Sequence, residues 1–116
     1  MNKPKIDSYQ FGKIVIDGQV YEKDLLISPG GVTADWWRVE GHSLSMADLE
    51  TILEAQPEVL VIGQGAYGRM LVPAATREEL EAAGMEVVAQ RTAEACQTYN
   101  RLQANKQVAA ALHLTC

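Results

Sequence analysis

The residues whose spacing most resembles a chemical motif are three glycines, Gly63, Gly65 and Gly68, set as G-x-G-x-x-G after the apolar run Val59-Leu60-Val61-Ile62. In a dinucleotide site such a loop opens directly into a helix whose first amides meet the pyrophosphate, and an acid at the end of the next strand takes the ribose. Here Arg69-Met70-Leu71-Val72-Pro73 follows the third glycine, and a helix is predicted only from about Thr76. The position expected for the acid falls near Gln90-Arg91. The spacing matches a nucleotide fingerprint and the context does not. The glycines read first as tight-turn residues. They read second as a backbone-lined pocket for another anion or a partner, because loops at the C-terminal ends of parallel strands often border a crevice. Arg69 is the cation beside this loop; its guanidinium is a planar fork of donors suited to an anion, or else a solvated loop arginine.

His113 and Cys116 raise the question of a thiolate–imidazole pair. Residues three apart on a strand point to opposite faces, so this pair needs a turn at Leu114-Thr115. A reactive thiol also needs a sheltered cationic setting, and Cys116 stands last in the sequence beside a carboxylate. No catalytic residue is assigned, and His113 reads as a strand-end histidine. Cys96 is expected in the core. His42, His113 and Asp35 show none of the spacings that bring metal ligands together, so neither a metal nor another cofactor is expected. Glu78, Glu79 and Glu81 fall on a solvated helix. Trp36, Trp37 and Tyr67 predict an exposed aromatic patch of the kind that takes a protein partner, with one tryptophan equally suited to the core. The residues nominated for ligand binding are Gly63, Gly65, Gly68, Arg69, Trp37 and His113.

The elements that must position these groups fall in two halves. The first 40 residues read as an antiparallel meander. Phe11 to Ile16 is a strand, Asp17-Gly18 a hairpin turn, Val20-Tyr21 the return, and Asp24 to Ile27 a further short run. Ser28-Pro29-Gly30-Gly31 has the residues of a type II turn, with proline second and glycine third. Val32 to Val39 is expected as the next strand, carrying Asp35-Trp36-Trp37-Arg38, so that only one tryptophan can point at a given face. Ser45-Met46-Ala47-Asp48 resembles a capping box, and Met46, Leu49, Ile52 and Leu53 make helix 45–55 apolar on one side, before Pro57. Beyond Glu58 the pattern is strand, helix, strand, helix, strand. Val59 to Ile62 is a strand buried on both faces. Thr76-Arg77-Glu78-Glu79 reads as a capping box for a helix closed by Gly84. Met85 to Ala89 is the next strand, Thr92 caps a helix bearing Cys96, Tyr99, Leu102 and Gln103, and Val108 to Leu114 is an alanine-rich last strand. The fold class expected is α/β, with three layers, a mixed central sheet, an N-terminal antiparallel meander and a C-terminal βαβαβ portion.

With 116 residues, the chain is long enough for one domain, residues 1–116, with one core. Hydrophobic residues at 47% argue against disorder. Ten basic and fifteen acidic side chains leave a formal charge of −5, which argues against a general nucleic-acid or anionic-membrane binder but leaves room for one small basic pocket. The start Met1-Asn2-Lys3-Pro4-Lys5-Ile6-Asp7 has no apolar secretory core, and no run approaches a membrane span. Two cysteines without a Cys-x-x-Cys indicate neither a disulfide framework nor structural zinc, and a cytoplasmic location is expected.

The stretch Val59 to Gly65, Val72-Pro73, the helix to Gly84, Met85-Glu86-Val87, Thr92, Tyr99-Asn100 and His113-Leu114-Thr115-Cys116 follow one another in a specific order. With Pro29-Gly30-Gly31 and Asp35-Trp36-Trp37-Arg38 upstream, they resemble the adipogenesis-associated Mth-domain family, which also includes a mitochondrial complex I assembly factor. The resemblance covers nearly the whole chain. It implies a three-layer α/β fold around a mixed sheet whose last strand could run antiparallel, and it carries no established enzymatic activity or catalytic residue. The function expected is a non-enzymatic binding or assembly module. The alternative is a small-molecule or anion-binding protein, conceivably a weak enzyme, built on loop 63–68 with Arg69, and an ordinary dinucleotide oxidoreductase comes last.

Overall fold

A strand that reads apolar at every position must be covered on both faces, and two such strands lie at the centre of the molecule. The computed structural model describes residues 4–116; of the start read above for a targeting signal, residues 1–3 lie outside it. β6 (Val59–Gln64) and β8 (Val108–His113) are buried along almost their whole length. They pair in parallel, with Val59 opposite Val108 and Gln64 opposite His113. β8 also pairs antiparallel with β4 (Leu25–Ser28), so the last strand is parallel to one neighbour and antiparallel to the other. β5 (Gly31–Thr33) and β7 (Glu86–Gln90) complete a mixed sheet in the order β5-β4-β8-β6-β7.

Strand alternation sorts the core into two sides. Val59, Val61, Ala110, Leu112, Leu25 and Ile27 face one way and pack on Ala95, Cys96 and Tyr99 of α3 (Thr92–Gln103) and on Ile6, Ile14 and Ile16. Leu60, Ile62, Ala109, Ala111 and Leu26 face the other way, onto Leu49, Ile52 and Leu80. These last three belong to a 3-10 turn (Met46–Leu49), to α1 (Glu50–Ala55) and to α2 (Ala74–Ala82). The small alanines of β8 let both side layers approach closely. The three-layer α/β fold with a mixed central sheet is therefore as expected.

Several local expectations are corrected. The N-terminal meander is split: β1 (Ile6–Gln10), β2 (Lys13–Ile16) and β3 (Gln19–Tyr21) form a separate three-stranded sheet, while β4 and β5 join the central one. β1 is a polar strand that buries Ile6 and leaves Asp7 and Ser8 exposed, which is why it carried no apolar run, and Phe11 sits in the turn after it. The hairpin turn is as read, with Asp17 and Gly18 at φ 49° and 80°, the pair of positive values that a type I′ turn needs. At 28–31 the positive φ belongs to Gly31 (139°) and not to Gly30, so the turn is not type II.

The strand expected over Val32 to Val39 stops at Thr33. Asp35 takes a positive φ of 54°, and the chain folds over the end of the sheet, held by a bond from the Trp36 amide to the Asp24 carbonyl (2.8 Å). The separation of the tryptophans stands, on a loop rather than a strand: Trp36 is buried and Trp37 is exposed. Thr76 and Thr92 are not caps. Pro73 and Arg91 hold those positions, and both threonines are buried inside their helices, where their hydroxyls donate to the carbonyls of Leu44 (3.1 Å) and His113 (2.6 Å). Gly84 closes α2 at φ 97° as read, and Asp48 accepts from the amide of Ser45 (2.9 Å) as a capping box requires.

Candidate functional site

In the central sheet the chain leaves β6 through α2 for β7, then returns through α3 past β6 to β8. The connections thus depart to opposite sides, and an open sheet leaves a crevice at the carboxyl ends of its strands where this happens. Here that crevice lies beyond Gln64 and His113. Three segments close over it: the glycine loop, the residues after β8, and the loop 34–45.

The glycine loop is spent on the protein's own chain. Gly63 lies within β6, where a Cβ would stand 2.9 Å from both the Leu112 side chain and the Thr92 hydroxyl. Gly65, at φ 101°, lies so close to the backbone of Thr115 and Cys116 that no side chain fits. Its amide donates to the Thr92 hydroxyl (2.8 Å), which in turn donates to the His113 carbonyl. The Ala66 amide donates to the Thr115 carbonyl (2.6 Å) and the Arg69 amide to that of Cys116 (3.0 Å). Gly68, at φ 71°, faces the stem of Arg91, and the Arg69 residue is exposed. Amides that would cradle a phosphate here hold Thr115 and Cys116 instead, and the helix after the loop begins only at Ala74.

His113 stands in a different constellation. Its Nδ1 lies 2.7 Å from the Asp24 Oδ2, which also accepts from the Arg38 Nη1 at 2.7 Å. The other Asp24 oxygen accepts from the Leu114 amide (2.8 Å). Burial acts to raise the Asp24 pKa, but the bonds from His113, the Leu114 amide and Arg38 outweigh it and hold the carboxyl below its ordinary value. An ionised carboxylate only accepts, so Nδ1 carries the proton of this bond. Nε2 is buried with no hydrogen-bond partner among the described residues. Arg38 is committed fully: it donates to the Gly41 carbonyl through Nε and Nη2, and its guanidinium lies 4.9 Å from the Trp36 ring centre. The cluster therefore pins loop 34–45 to the ends of β4 and β8.

What this pinning leaves outside is apolar. Trp37 is 78% exposed and Val39 79%. Phe11, Tyr67 and Leu71 are exposed as well, and their segments are tied to the same end of the sheet. The Phe11 and Tyr67 rings stand 6.0 Å apart, Gly12 donates to the Leu114 carbonyl, and Leu71 donates to His42 (2.7 Å). The aromatic patch thus differs from the one expected: Trp36 is withdrawn into the core, where its Nε1 donates to the Asp48 carbonyl (2.9 Å), and Phe11 takes a place beside Tyr67. A cleft of about 290 Å³ opens beside Trp37, with Lys23, Asp24, Asp35 and Arg38 on its walls. No group of three or more histidine, cysteine or acidic side chains among the described residues is placed to hold a metal ion.

The nominated residues therefore separate into Gly63, Gly65 and Gly68, packed on the chain's own backbone, His113, buried behind Asp24, and Trp37 and Arg69, both exposed. Asp24 and Arg38 were not nominated. Their only sequence signal is a charged residue at the head of an apolar run and another beside two tryptophans.

The chain matches the family model described as protein of unknown function (DUF498/DUF598) over residues 6–113. It is 44% identical over 78 residues to the zebrafish (Danio rerio) protein NADH dehydrogenase (ubiquinone) 1 alpha subcomplex assembly factor 3, an alignment that covers 65% of this chain and 44% of that protein. The match thus spans less than half the length of that relative. A conserved hypothetical protein of Pyrococcus horikoshii OT3 superposes with a TM-score of 0.82 at 28% identity, covering 97% of this chain and 99% of the other. A structure described as an outer membrane protein from Bartonella henselae superposes with a TM-score of 0.83 at 25% identity, covering 99% and 98%.

Proposed function

The chain belongs to the DUF498/DUF598 family of proteins of unknown function, and from that premise we propose that it is a non-enzymatic module that docks a protein partner during assembly of a larger complex. The Mth-domain resemblance read from the sequence is borne out by the same match and by the assembly-factor relative. The observation that carries the proposal is the exposure of Trp37 and Val39 on a loop whose backbone is fixed by Arg38, Asp24 and His113. Tryptophan is enriched among the residues that dominate binding energy. A rigid scaffold beneath it lowers the ordering cost of association. The name of the zebrafish relative supports the assembly part of the reading.

The experiment is native co-purification of the tagged chain from its own cells. A stoichiometric protein partner, lost in Trp37→Ala while the thermal melt stays unchanged, is the expected result. Recovery of the chain alone would overturn the proposal. Cys96 and Cys116 are free thiols, which supports a reducing compartment such as the cytoplasm. No helix among the described residues is long and apolar enough to cross a membrane.

A second reading, a small-molecule or anion site, is favoured by the cleft beside Trp37, where Lys23 and Arg38 stand with Asp24 and Asp35. A ligand bound there would add stability that grows with its concentration. A thermal-shift screen of metabolites tests it: a shift abolished by Trp37→Ala supports the reading, and no shift from any compound contradicts it.

A further inference from the structure

The cleft beside Trp37 has four charged residues in its lining, Lys23, Asp24, Asp35 and Arg38. Two of them are spent inside the protein. Asp24 and Arg38 pair at 2.7 Å with both side chains largely covered. The second Asp24 oxygen accepts from the Leu114 amide, and Arg38 also donates to the Gly41 carbonyl. This pair cancels its own charge and supports the floor of the cleft.

Lys23 and Asp35 are left, one of each sign, and both are exposed. They do not pair with each other. The Lys23 ammonium stands 5.9 Å from the Trp37 ring centre, and no hydrogen bond or ion pair holds it among the described residues. The Asp35 carboxylate has no such partner among them either. Its backbone is nevertheless fixed: Asp35 takes a φ of 54°, and the amide of the next residue donates to the Asp24 carbonyl. Glu22 and Glu40 are exposed nearby in sequence but do not line the cleft.

An uncommitted cation and an uncommitted anion in one cleft select by charge. An anionic ligand satisfies Lys23 and is repelled by Asp35, a cationic ligand meets the reverse, and a neutral one satisfies neither. A molecule carrying an ammonium and a carboxylate satisfies both. The exposed indole of Trp37 offers apolar surface for the rest of such a molecule and attracts its ammonium. A cleft of about 290 Å³ is at the small end of the range for ligand pockets, the size for a small metabolite. Building on the small-molecule reading of this cleft, we propose that it binds a zwitterion of amino-acid size. The ligand's carboxylate lies on the Lys23 ammonium, its ammonium on the Asp35 carboxylate and its apolar part on the Trp37 ring.

A nuclear magnetic resonance titration of the whole chain with L-phenylalanine and its blocked forms tests this. N-acetyl-L-phenylalanine keeps only the negative charge, L-phenylalanine amide only the positive one, and N-acetyl-L-phenylalanine amide neither. Glycyl-L-phenylalanine holds the two charges farther apart and separates a free amino acid from a short peptide as the ligand. The expected result is that at least one of the two zwitterions shifts the Trp37 indole signal to saturation. Each blocked form should bind about fivefold more weakly, the order of one partly exposed charge pair. Lys23→Met should remove the penalty for blocking the carboxylate and keep the penalty for blocking the amine. Asp35→Asn should do the reverse, and asparagine tolerates the left-handed backbone at this position. Blocked forms that bind as tightly as the zwitterions overturn the proposal. So do variants that leave both penalties in place or remove both together. Failure of both zwitterions to bind overturns it as well; the small-molecule reading falls with it only if the metabolite screen also yields no shift that depends on Trp37.

Discussion

At Asp24 burial and hydrogen bonding pull in opposite directions. Removal from water disfavours the charged form, while His113, the Leu114 amide and Arg38 all donate to it and prevail. A carboxyl whose folded pKa lies below its unfolded value contributes stability that is fully present above the unfolded value and is lost as pH falls through the folded one. For Asp24 that loss belongs below its ordinary value of 3.8. Chemical denaturation below about pH 4 should therefore show a steeper fall for the wild type than for Asp24→Asn, with the two running parallel above it. At neutral pH, Asp24→Ala leaves Arg38 and His113 nearly buried without their acceptor, and should cost about 3 kcal/mol by urea denaturation. Gly65→Ala should cost roughly 2 kcal/mol, because its φ of 101° suits only glycine and its Cα faces the backbone of Cys116; faster amide exchange at Ala66 and Arg69 would report the loosened contact. Of this cluster the sequence singles out His113 alone. Asp24 and His113 are 89 positions apart, and no local pattern links them. Thr92 was misread because a threonine at the head of a helix has the signature of a cap, whereas here its hydroxyl serves Gly65 and His113 across the sheet.

Secondary structure was legible wherever burial imposes a period. β6 and β8 read as unbroken apolar runs because they are covered on both faces, and α1 and α3 read from their spaced apolar positions. Legibility failed where a segment is held by polar bonds. β1 is polar on its exposed positions and is fastened by the Asn100 carboxamide as well as by the one buried side chain, Ile6. Asn100→Ala should therefore release that strand without unfolding the sheet. Amide exchange at Ile6 should quicken by at least tenfold, with β6 and β8 unchanged; equal quickening throughout would show that the clamp is not local. The Asp35-Trp36-Trp37-Arg38 segment failed for the same reason. Its residues favour a strand, but Arg38 finds Asp24, the Gly41 carbonyl and the Trp36 ring only if the chain turns away from β4.

Across the whole molecule these turns have one consequence. The end of the sheet where an α/β protein commonly holds a small molecule is filled by Leu114 to Cys116 and roofed by loop 34–45, while the roof presents Trp37 and Val39 outward. A charge of −5 argues against a nucleic-acid partner, and the glycine-loop amides are taken by Thr115 and Cys116, so the docking surface proposed above lies on the loops over them. The co-purified complex permits the most direct measurement: amide exchange of the chain with and without its partner. Slowed exchange confined to residues 35–41 and 66–72, with α1 and α2 unaffected, is the predicted footprint. Protection centred on α1 and α2, with loop 34–45 exchanging as in the isolated chain, would contradict it.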